Sequence, residues 1–289
     1  MLRFPGSGID GCNPYHGPMS DYPERIVCLT EEPTETLYLL EEDWRIVGIS
    51  GFTVRPARAR KEKPKVSAFL SAKIDKILDL EPDLVLGFSD LQAEIATELI
   101  RHGVEVHIFN HRSVDEIFQM ISMLGGMIGC QEKTRALVDE LRGGVEKIRA
   151  QAAALPKTPR VYFEEWDEPM LSGIRWVSEL VEIAGGEDCF PELKEEALGK
   201  NRIIPDYETV IERQPDIIIG SWCGKKFRPE KVCERPGFDR IPAVRDNELH
   251  EIKSVNILQP GPAALTDGLQ QLHEIIARWC DVSATAESR

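Results

Sequence analysis

The sequence lacks the features that define several large protein classes. Its seven cysteines are scattered and none belongs to a CxxC pair, which favours free thiols in a reducing compartment over a disulfide framework. No apolar run reaches the roughly 20 residues that a membrane-spanning helix needs. Lysine and arginine total 35 against 49 acidic residues, and the net charge of −14 disfavours nucleic acid and anionic membranes as partners.

Motifs of common enzymes are also absent. There is no Walker A sequence and no GxGxxG, and the segment 221–226 (SWCGKK) lacks the first glycine of a phosphate-binding loop, so we expect it to be a pocket loop. The segment around Ser89 is not a GxSxG elbow. His107 and His111 lie at a strand end and in the following loop, where their spacing does not converge on one metal ion. We therefore predict no catalytic residue, no metal site and no cofactor.

The first 24 residues, MLRFPGSGIDGCNPYHGPMSDYPE, contain no charged segment followed by an apolar core and a small-residue cleavage site, as a secretory signal would. Together with the unpaired cysteines, this predicts a cytoplasmic protein. A periplasmic location would follow if the true start lies upstream of Met1.

A long helical pattern near the middle of the chain divides the sequence. In residues 132–155 the apolar positions recur every three or four residues, which places them on one stripe of a helix. Pro156 and Pro159 end this pattern, and Gly143 with Gly144 leaves a break into two helices as the alternative. The predicted organisation is an irregular N-terminal segment 1–24, an N-terminal α/β lobe 25–131, a linker helix 132–155, a C-terminal α/β lobe 156–280 and a polar tail 281–289.

The two flanking parts share one pattern and one repeated segment. Strand-like and helix-like segments alternate in both, which is typical of parallel sheets covered by helices. Asp75–Gly87 aligns without a gap on Glu208–Gly220, and both contain Pro-Asp before an apolar strand that ends in glycine. The predicted fold class is α/β, with two Rossmann-like lobes that have parallel sheets and are joined by one long backbone helix.

Aromatic residues occur where the predicted strands end. Ligands of open parallel sheets bind outside the carboxyl ends of the strands, so these residues are candidates for lining a cleft between the lobes. Packing on the lobe surface is the alternative for each residue taken alone. The candidates are Phe52, Phe69 before a helix expected to start at Ser71, Phe88, Trp166 and Trp222.

Asp75 and Glu208 occupy equivalent positions near the starts of their helices. The helix dipole favours an acid there, which is sufficient to account for both. The alternative is that the two acids, one on each lobe, bind two basic sites of a two-fold symmetric partner.

Several segments together resemble one family, that of the periplasmic-binding-protein-like receptors for vitamin B12 and iron siderophores. The resemblance covers about residues 25 to 280, and its AGGEDCF stretch is most similar to the cobalamin-binding branch. The segments are RIVCLTEEPTETLYLL, IVGIS at 46–50, EPDLVL from Glu81, the central helix, AGGEDCF at 184–190 and residues 207–219.

This resemblance implies the class III periplasmic-binding-protein fold and a set of site residues. Aromatics at the places of Phe52, Phe69 and Phe88 would stack around a corrin ring, with Glu165 and Trp166 contributing from the second lobe. Ile204 stands where an aromatic is expected before Pro205. Asp75 and Glu208 match the acids that dock onto arginines of an importer's membrane subunits.

The function implied is non-enzymatic binding of a corrinoid, such as cobalamin, in the cleft between the lobes. The protein would be the substrate-binding component of an ABC-type B12 uptake system or a cytosolic relative of one. One alternative ligand is a ferric siderophore or a heme-type chelate. Another alternative is a cytosolic cofactor-handling enzyme on the same fold, whose acids would come from Glu164, Glu165, Asp167 and Glu168, provided that burial together raises their pKa values.

Overall fold

The computed structural model describes residues 21–287 and confirms two α/β lobes joined by one helix. Residues 1–20, and with them most of the segment predicted to be irregular, lie outside the described part. None of the helices in the described range is both long and apolar enough to cross a membrane.

The N lobe contains six strands, which are β1 (Ile26–Cys28), β2 (Ile46–Ser50), β3 (Lys65–Ala68), β4 (Ser71–Ala72), β5 (Leu84–Phe88) and β6 (Val106–Phe109). Its helices are α1 (Glu31–Leu39), α2 (Ala59–Glu62), α3 (Ile74–Leu78), α4 (Ala93–Arg101) and α5 (Val114–Met127).

The N-lobe sheet has the strand order β4-β3-β2-β1-β5-β6 and is parallel except for β4. The chain moves outward from β1 in one direction and then returns to place β5 on the other side of β1. The crevice at such a reversal lies between the carboxyl ends of β1 and β5, which is where this class of sheet binds ligands. The buried strands IVC and LVLGF expose no side chain to water, because helices cover both faces of the sheet.

The C lobe repeats this arrangement on a smaller sheet. Its strand β7 pairs with β10 on one side and with both β8 and β9 on the other, so that the reversal lies between β7 and β10. The strands are β7 (Arg160–Asp167), β8 (Met170–Ser172), β9 (Glu187–Asp188), β10 (Ile217–Gly220) and β11 (Leu249–Glu251). The helices are α7 (Arg175–Ala184), α8 (Tyr207–Arg213), α9 (Pro229–Cys233), α10 (Pro242–Arg245), α11 (Ser254–Ile257) and α12 (Leu269–Glu287). A π-helical turn at Ala264–Gly268 precedes α12.

One continuous helix, α6 (Gln131–Ala152), links the lobes. It packs against α5 of the N lobe and against α7 and α12 of the C lobe, and Leu141, Val145 and Ile148 are buried on its inner face. The helix runs without a break through Gly143 and Gly144, and both face open space. The same hydrophobic cluster includes buried residues of both sheets, so the linker helix is part of one core that extends through both lobes.

The repeated segment has the same structure in both lobes. Glu81 and Gln214, which match in the alignment, both adopt a left-handed backbone with φ of 45° and 47°. The aspartates after the shared prolines accept equivalent hydrogen bonds. Asp83 accepts a hydrogen bond of 2.9 Å from the backbone N–H of Arg25, and Asp216 accepts one of 2.9 Å from that of Arg160. Each carboxylate therefore holds the start of the neighbouring central strand, which is a physical reason for Pro-Asp in both lobes.

Two sequence predictions are corrected. Ser71 does not cap a helix but lies in β4, because β3 and β4 form a short antiparallel hairpin around Phe69 and Leu70. The tail predicted over 281–289 is not separate from the last helix, since α12 extends to Glu287. No glycine or proline follows Cys280, so nothing in the sequence stops the helix there.

Candidate ligand-binding cleft

The carboxyl ends of the two sheets face each other across a cleft. Cys223 lies in the loop after β10, where partial burial of its thiol raises the pKa, and the charges of Glu165 of the C lobe and Glu31 of the N lobe raise it further. The lobes also touch directly beside the cleft. The backbone N–H of Val114 donates a hydrogen bond of 2.7 Å to Glu179 of the C lobe.

The N-lobe side of the cleft presents apolar side chains to solvent. Phe52, in the loop after β2, is 57% exposed, and Leu70, at the tip of the β3–β4 hairpin, is 68% exposed. Leu91, in the loop after β5, is 51% exposed. All three follow the carboxyl ends of strands of one sheet, and we call them the apolar rim. Exposed apolar side chains at this edge suit a large, partly apolar ligand.

Phe69 and Phe88 lie deeper than the apolar rim. Phe69 is half-buried and packs against the core. Phe88 is buried, and its ring is covered by the Arg112 guanidinium at 4.6 Å and by the edge of the His111 ring at 5.1 Å. Of the three N-lobe aromatics expected to stack on a ligand, the structure therefore leaves only Phe52 largely open to the cleft.

Two adjacent carboxyl groups lie at the reversal point of the N-lobe sheet. Glu31 and Glu32 begin α1 directly after β1, and both are buried. Burial raises the pKa of Glu31 to about 7. Burial and the neighbouring charge of Glu31 raise the pKa of Glu32 to about 8, although the Thr30 hydroxyl donates a hydrogen bond of 2.7 Å to Glu32 and opposes this shift. These two acids therefore hold protons near neutral pH.

The C-lobe side of the cleft is polar and is ordered by ion pairs. Glu165 accepts a hydrogen bond of 2.7 Å from the buried Arg202. The ammonium group of Lys225 lies 4.0 Å from the ring centre of Trp166 and also pairs with Asp167. Trp166 is half-buried, and its indole N–H donates to the backbone carbonyl of Glu168 at 2.8 Å.

The structure corrects the prediction that Trp222 and Ile204 contact a ligand. Trp222 is only 3% exposed, because its indole N–H donates to Glu164 at 2.9 Å and its ring packs edge-on against Phe227. Ile204 is 2% exposed and belongs to the same C-lobe core. Both side chains pack inside the C lobe, and neither is exposed enough to contact a ligand.

The four acids proposed for catalysis do not act as a group. Glu164 is fully buried on the opposite side of the strand from Glu165, as alternation along β7 requires. The Arg235 guanidinium donates to both of its carboxylate oxygens, at 2.6 and 2.9 Å, and the Tyr162 hydroxyl donates at 2.7 Å. Glu164, Glu165 and Asp167 each have their own basic partner, so the four acids do not form one unpaired buried cluster.

Asp75 and Glu208 are both exposed in the first turns of α3 and α8, as the repeat predicts. Glu208 pairs with Arg240 at 2.6 Å, whereas Asp75 forms no ion pair with any described residue. The dipole interpretation and the docking interpretation both fit these positions.

Sequence reasoning missed Glu31, Glu32 and Arg202 as cleft residues. The first two follow the buried strand RIVCL directly, and this position at a strand end was the available indication. Arg202 lies in the irregular stretch between β9 and α8, where no periodicity points inward. Only the packing of that stretch against β8 buries the guanidinium, which donates to the backbone carbonyl of Ser172.

Comparisons with known proteins agree with this architecture. Residues 26–255 match the family model described as periplasmic binding protein. An uncharacterized ABC transporter substrate-binding lipoprotein of Bacillus subtilis, YvrC, is 24% identical over 268 residues, which is 88% of this chain and 80% of the relative. The vitamin B12-binding protein of Vibrio parahaemolyticus is 24% identical over 249 residues, covering 84% of this chain and 86% of the relative.

Solved structures show the same fold at low identity. A possible iron-binding periplasmic solute-binding protein of Staphylococcus epidermidis aligns with a TM-score of 0.77 and 24% identity over 89% of this chain and 99% of the other. The periplasmic heme-binding protein RhuT of Roseiflexus aligns with a TM-score of 0.74 and 22% identity over 88% and 99%. The class III fold implied by the sequence is confirmed, and the chain belongs to the periplasmic binding protein family of ABC importer type.

Proposed function

We propose that the protein binds a corrinoid, without chemical conversion, in the cleft between its two lobes. The observation that carries this proposal is the apolar rim of Phe52, Leu70 and Leu91, set opposite a polar face that is ordered by ion pairs. A corrinoid has a broad apolar face and amide groups at its edge, so it suits a cleft with these two sides. The vitamin B12-binding relative supports the same ligand class.

A heme or a ferric siderophore is the second candidate. It is favoured by the heme-binding and possible iron-binding proteins that share the fold. Both kinds of ligand are large chelates that would bury apolar area against the same rim.

The partner that we propose is the pair of membrane subunits of an ABC importer, contacted through Asp75 and Glu208. Delivery of ligand to such subunits requires a location outside the cytoplasm, so this partner and the cytoplasmic location predicted above exclude one another. Fractionation of the native host with antibody detection decides between them.

Titration of the purified protein tests the ligand. Cyanocobalamin, dicyanocobinamide, hemin and a ferric siderophore are added in turn, and binding is followed by absorbance and by calorimetry. We expect saturable binding of one class with a dissociation constant in the micromolar range or below, about −8 kcal/mol or more favourable. Absence of binding of all four at about 100 µM, a free energy weaker than roughly −5.5 kcal/mol, would contradict the proposal.

A further inference from the structure

Glu165 lies where the two central strands of the C lobe separate. The parallel pairing of β7 with β10 ends at Glu164, whose backbone carbonyl accepts a hydrogen bond of 2.9 Å from the backbone N–H of Ser221. Glu165 is the next residue of β7, at the point where the strand order of this sheet reverses. Ligands of open sheets bind in the crevice at such a reversal, so Glu165 stands where a ligand is expected.

The other neighbour of β7 at this point is β8, and Glu165 is the extra residue of a β-bulge in their pairing. Glu164 is opposite Ser172 and Trp166 is opposite Leu171, so no residue of β8 is left to pair with Glu165. Bulges bend a strand locally and change the direction of a side chain, and they are frequent next to binding and active sites. The backbone of β7 therefore departs from regular pairing at the one residue that stands at the reversal.

Arg202 fixes the Glu165 carboxylate from inside the lobe. Its guanidinium donates to Oε2 of Glu165 at 2.7 Å and to the backbone carbonyl of Ser172, whose own N–H donates to the Arg202 carbonyl at 3.2 Å. Arg202 is 2% exposed and has no other ion pair with a described residue. An uncompensated buried charge is costly, so the buried guanidinium holds Oε2 of Glu165 in place while a ligand cannot reach Arg202 itself.

The second carboxylate oxygen of Glu165, Oε1, is the one left for a ligand. It accepts no hydrogen bond from a described residue and is not enclosed, and the Glu165 side chain is 22% exposed. Lys225, on the same side of the cleft, is already paired with Asp167 and lies over the ring of Trp166. The C-lobe side of the cleft therefore presents a fixed hydrogen-bond acceptor.

We propose that Oε1 of Glu165, held in place by Arg202 as a positioning residue, accepts a hydrogen bond from an uncharged N–H or O–H donor at the edge of the ligand. A ligand with a carboxylate at that place would bring two negative groups into contact, and it offers no donor, so it should bind more weakly. This inference rests on the proposed function and deepens it by naming the polar group that the ligand carries. The side-chain amides of a corrinoid are such donors, whereas the ionised propionates of heme are not.

Two sets of ligands that differ in one charge test the proposal. Cyanocobalamin is compared with its b-, d- and e-monocarboxylic acids, in each of which one side-chain amide has been hydrolysed, and hemin is compared with its dimethyl ester. Binding is followed by absorbance and by calorimetry near neutral pH. We expect the wild-type protein to bind cyanocobalamin about ten- to a hundredfold more tightly than at least one of the three acids, which is the scale of a hydrogen bond to a charged group. Hemin should bind more weakly than its ester.

Glu165→Gln should remove this preference, because the glutamine amide carries a donor as well as an acceptor and has no charge to repel a carboxylate. The variant should still bind cyanocobalamin. Glu192→Gln is the matched control, because Glu192 also pairs with an arginine, Arg213, but at the amino end of β7, where the Arg213 carbonyl accepts a hydrogen bond from Arg160. This control should keep the full preference.

A double-mutant cycle tests the role of Arg202. Arg202→Lys keeps the charge but loses the planar group that bonds both Glu165 and Ser172. It should reduce the preference in the wild type and have no further effect in Glu165→Gln, since Arg202 acts through Glu165. A merely structural role would lower the affinity by the same factor in both backgrounds. Circular dichroism verifies folding, and if Arg202→Lys does not fold, Glu165→Asp replaces it, because withdrawing the carboxylate by one methylene should lose most of the preference while the charge is kept.

The outcomes separate this inference from the proposed function. Equal affinity for cyanocobalamin and all three acids, or a Glu165→Gln variant that keeps the preference, overturns the acceptor and leaves ligand binding intact. Tighter binding of hemin than of its ester also overturns it, since the carboxylates would then be favoured. Additive effects in the cycle, or a Glu165→Asp variant that keeps the preference, overturn the positioning role of Arg202. If the wild type binds none of the compounds, the proposed function fails and the acceptor fails with it.

Discussion

Each lobe buries an acid in or shortly after its central strand, and the two acids are stabilised in opposite ways. In the N lobe, Glu32 has no basic partner among the described residues and relies on Thr30 and on backbone N–H groups at the start of α1. In the C lobe, Glu164 is held by two hydrogen bonds from Arg235. The N-lobe acid is therefore set to take up a proton, whereas the C-lobe acid belongs to a fixed ion pair.

The aromatic residues at the strand ends also differ between the lobes, in whether they are exposed or held in place by a polar partner. Phe52 of the N lobe is exposed and has no polar partner to hold it, whereas Trp222 of the C lobe is buried by its hydrogen bond to Glu164. The two lobes thus share the strand and turn framework but not the chemistry at the strand ends. One face of the cleft became apolar and the other became polar.

Loss of the buried ion pair should have the largest effect. Arg235→Ala leaves Glu164 as an uncompensated buried charge, so we expect the free energy of unfolding to fall by about 3–5 kcal/mol in urea denaturation. Arg240→Ala is the control, because its pair with Glu208 is exposed and screened by water, so its loss should change stability little. Equal losses in the two variants would show that Glu164 is not held as a charge.

The difference between the aromatics can be measured with two alanine variants. Trp222→Ala should destabilise the protein by about 3 kcal/mol, since it removes a buried ring and a hydrogen bond. Phe52→Ala should change stability by less than about 0.5 kcal/mol but weaken ligand binding roughly tenfold, in line with about 1.5 kcal/mol for lost stacking. Ile100→Ala is a matched control, since Ile100 is 59% exposed on α4, outside the strand-end loops. An unchanged affinity of Phe52→Ala would remove this residue from the site.

The unpaired acids of the N lobe should make stability depend on pH. The pKa of Glu32 is raised to about 8 in the folded protein, so the folded state binds more protons than the unfolded state between the two pKa values. Its contribution is complete below the unfolded pKa and is lost as pH rises toward the folded pKa. We expect loss of the Glu32 contribution alone to lower the free energy of unfolding by roughly 2 kcal/mol between pH 6 and 8.

Urea denaturation at both pH values measures this loss. Glu32→Gln should remove most of the dependence, and the part that stays should come from Glu31, whose pKa is raised to about 7. The Arg240→Ala variant should keep the full dependence. A flat profile in the wild type would mean that Glu32 is ionised in the folded state.

The sequence by itself determined the architecture, because the helices and strands could be recognised from the local spacing of their apolar residues. The stripe Leu141, Val145 and Ile148 required a helix, and the Pro-Asp repeat required two similar lobes, since each aspartate holds the start of a neighbouring strand. The end of the last helix was misplaced, because no residue after Cys280 breaks a helix.

Only the tertiary structure decided which strand-end side chains face the cleft. Trp222 and Phe52 are both aromatic and both follow a strand, and nothing local distinguishes them. Trp222 donates its indole N–H to Glu164, and Glu164 is held by Arg235, which is distant from both in sequence, whereas Phe52 has no such contact and stays exposed. Val114 and Glu179 belong to different lobes, so it is the packing of the lobes on α6 that brings them to hydrogen-bond distance.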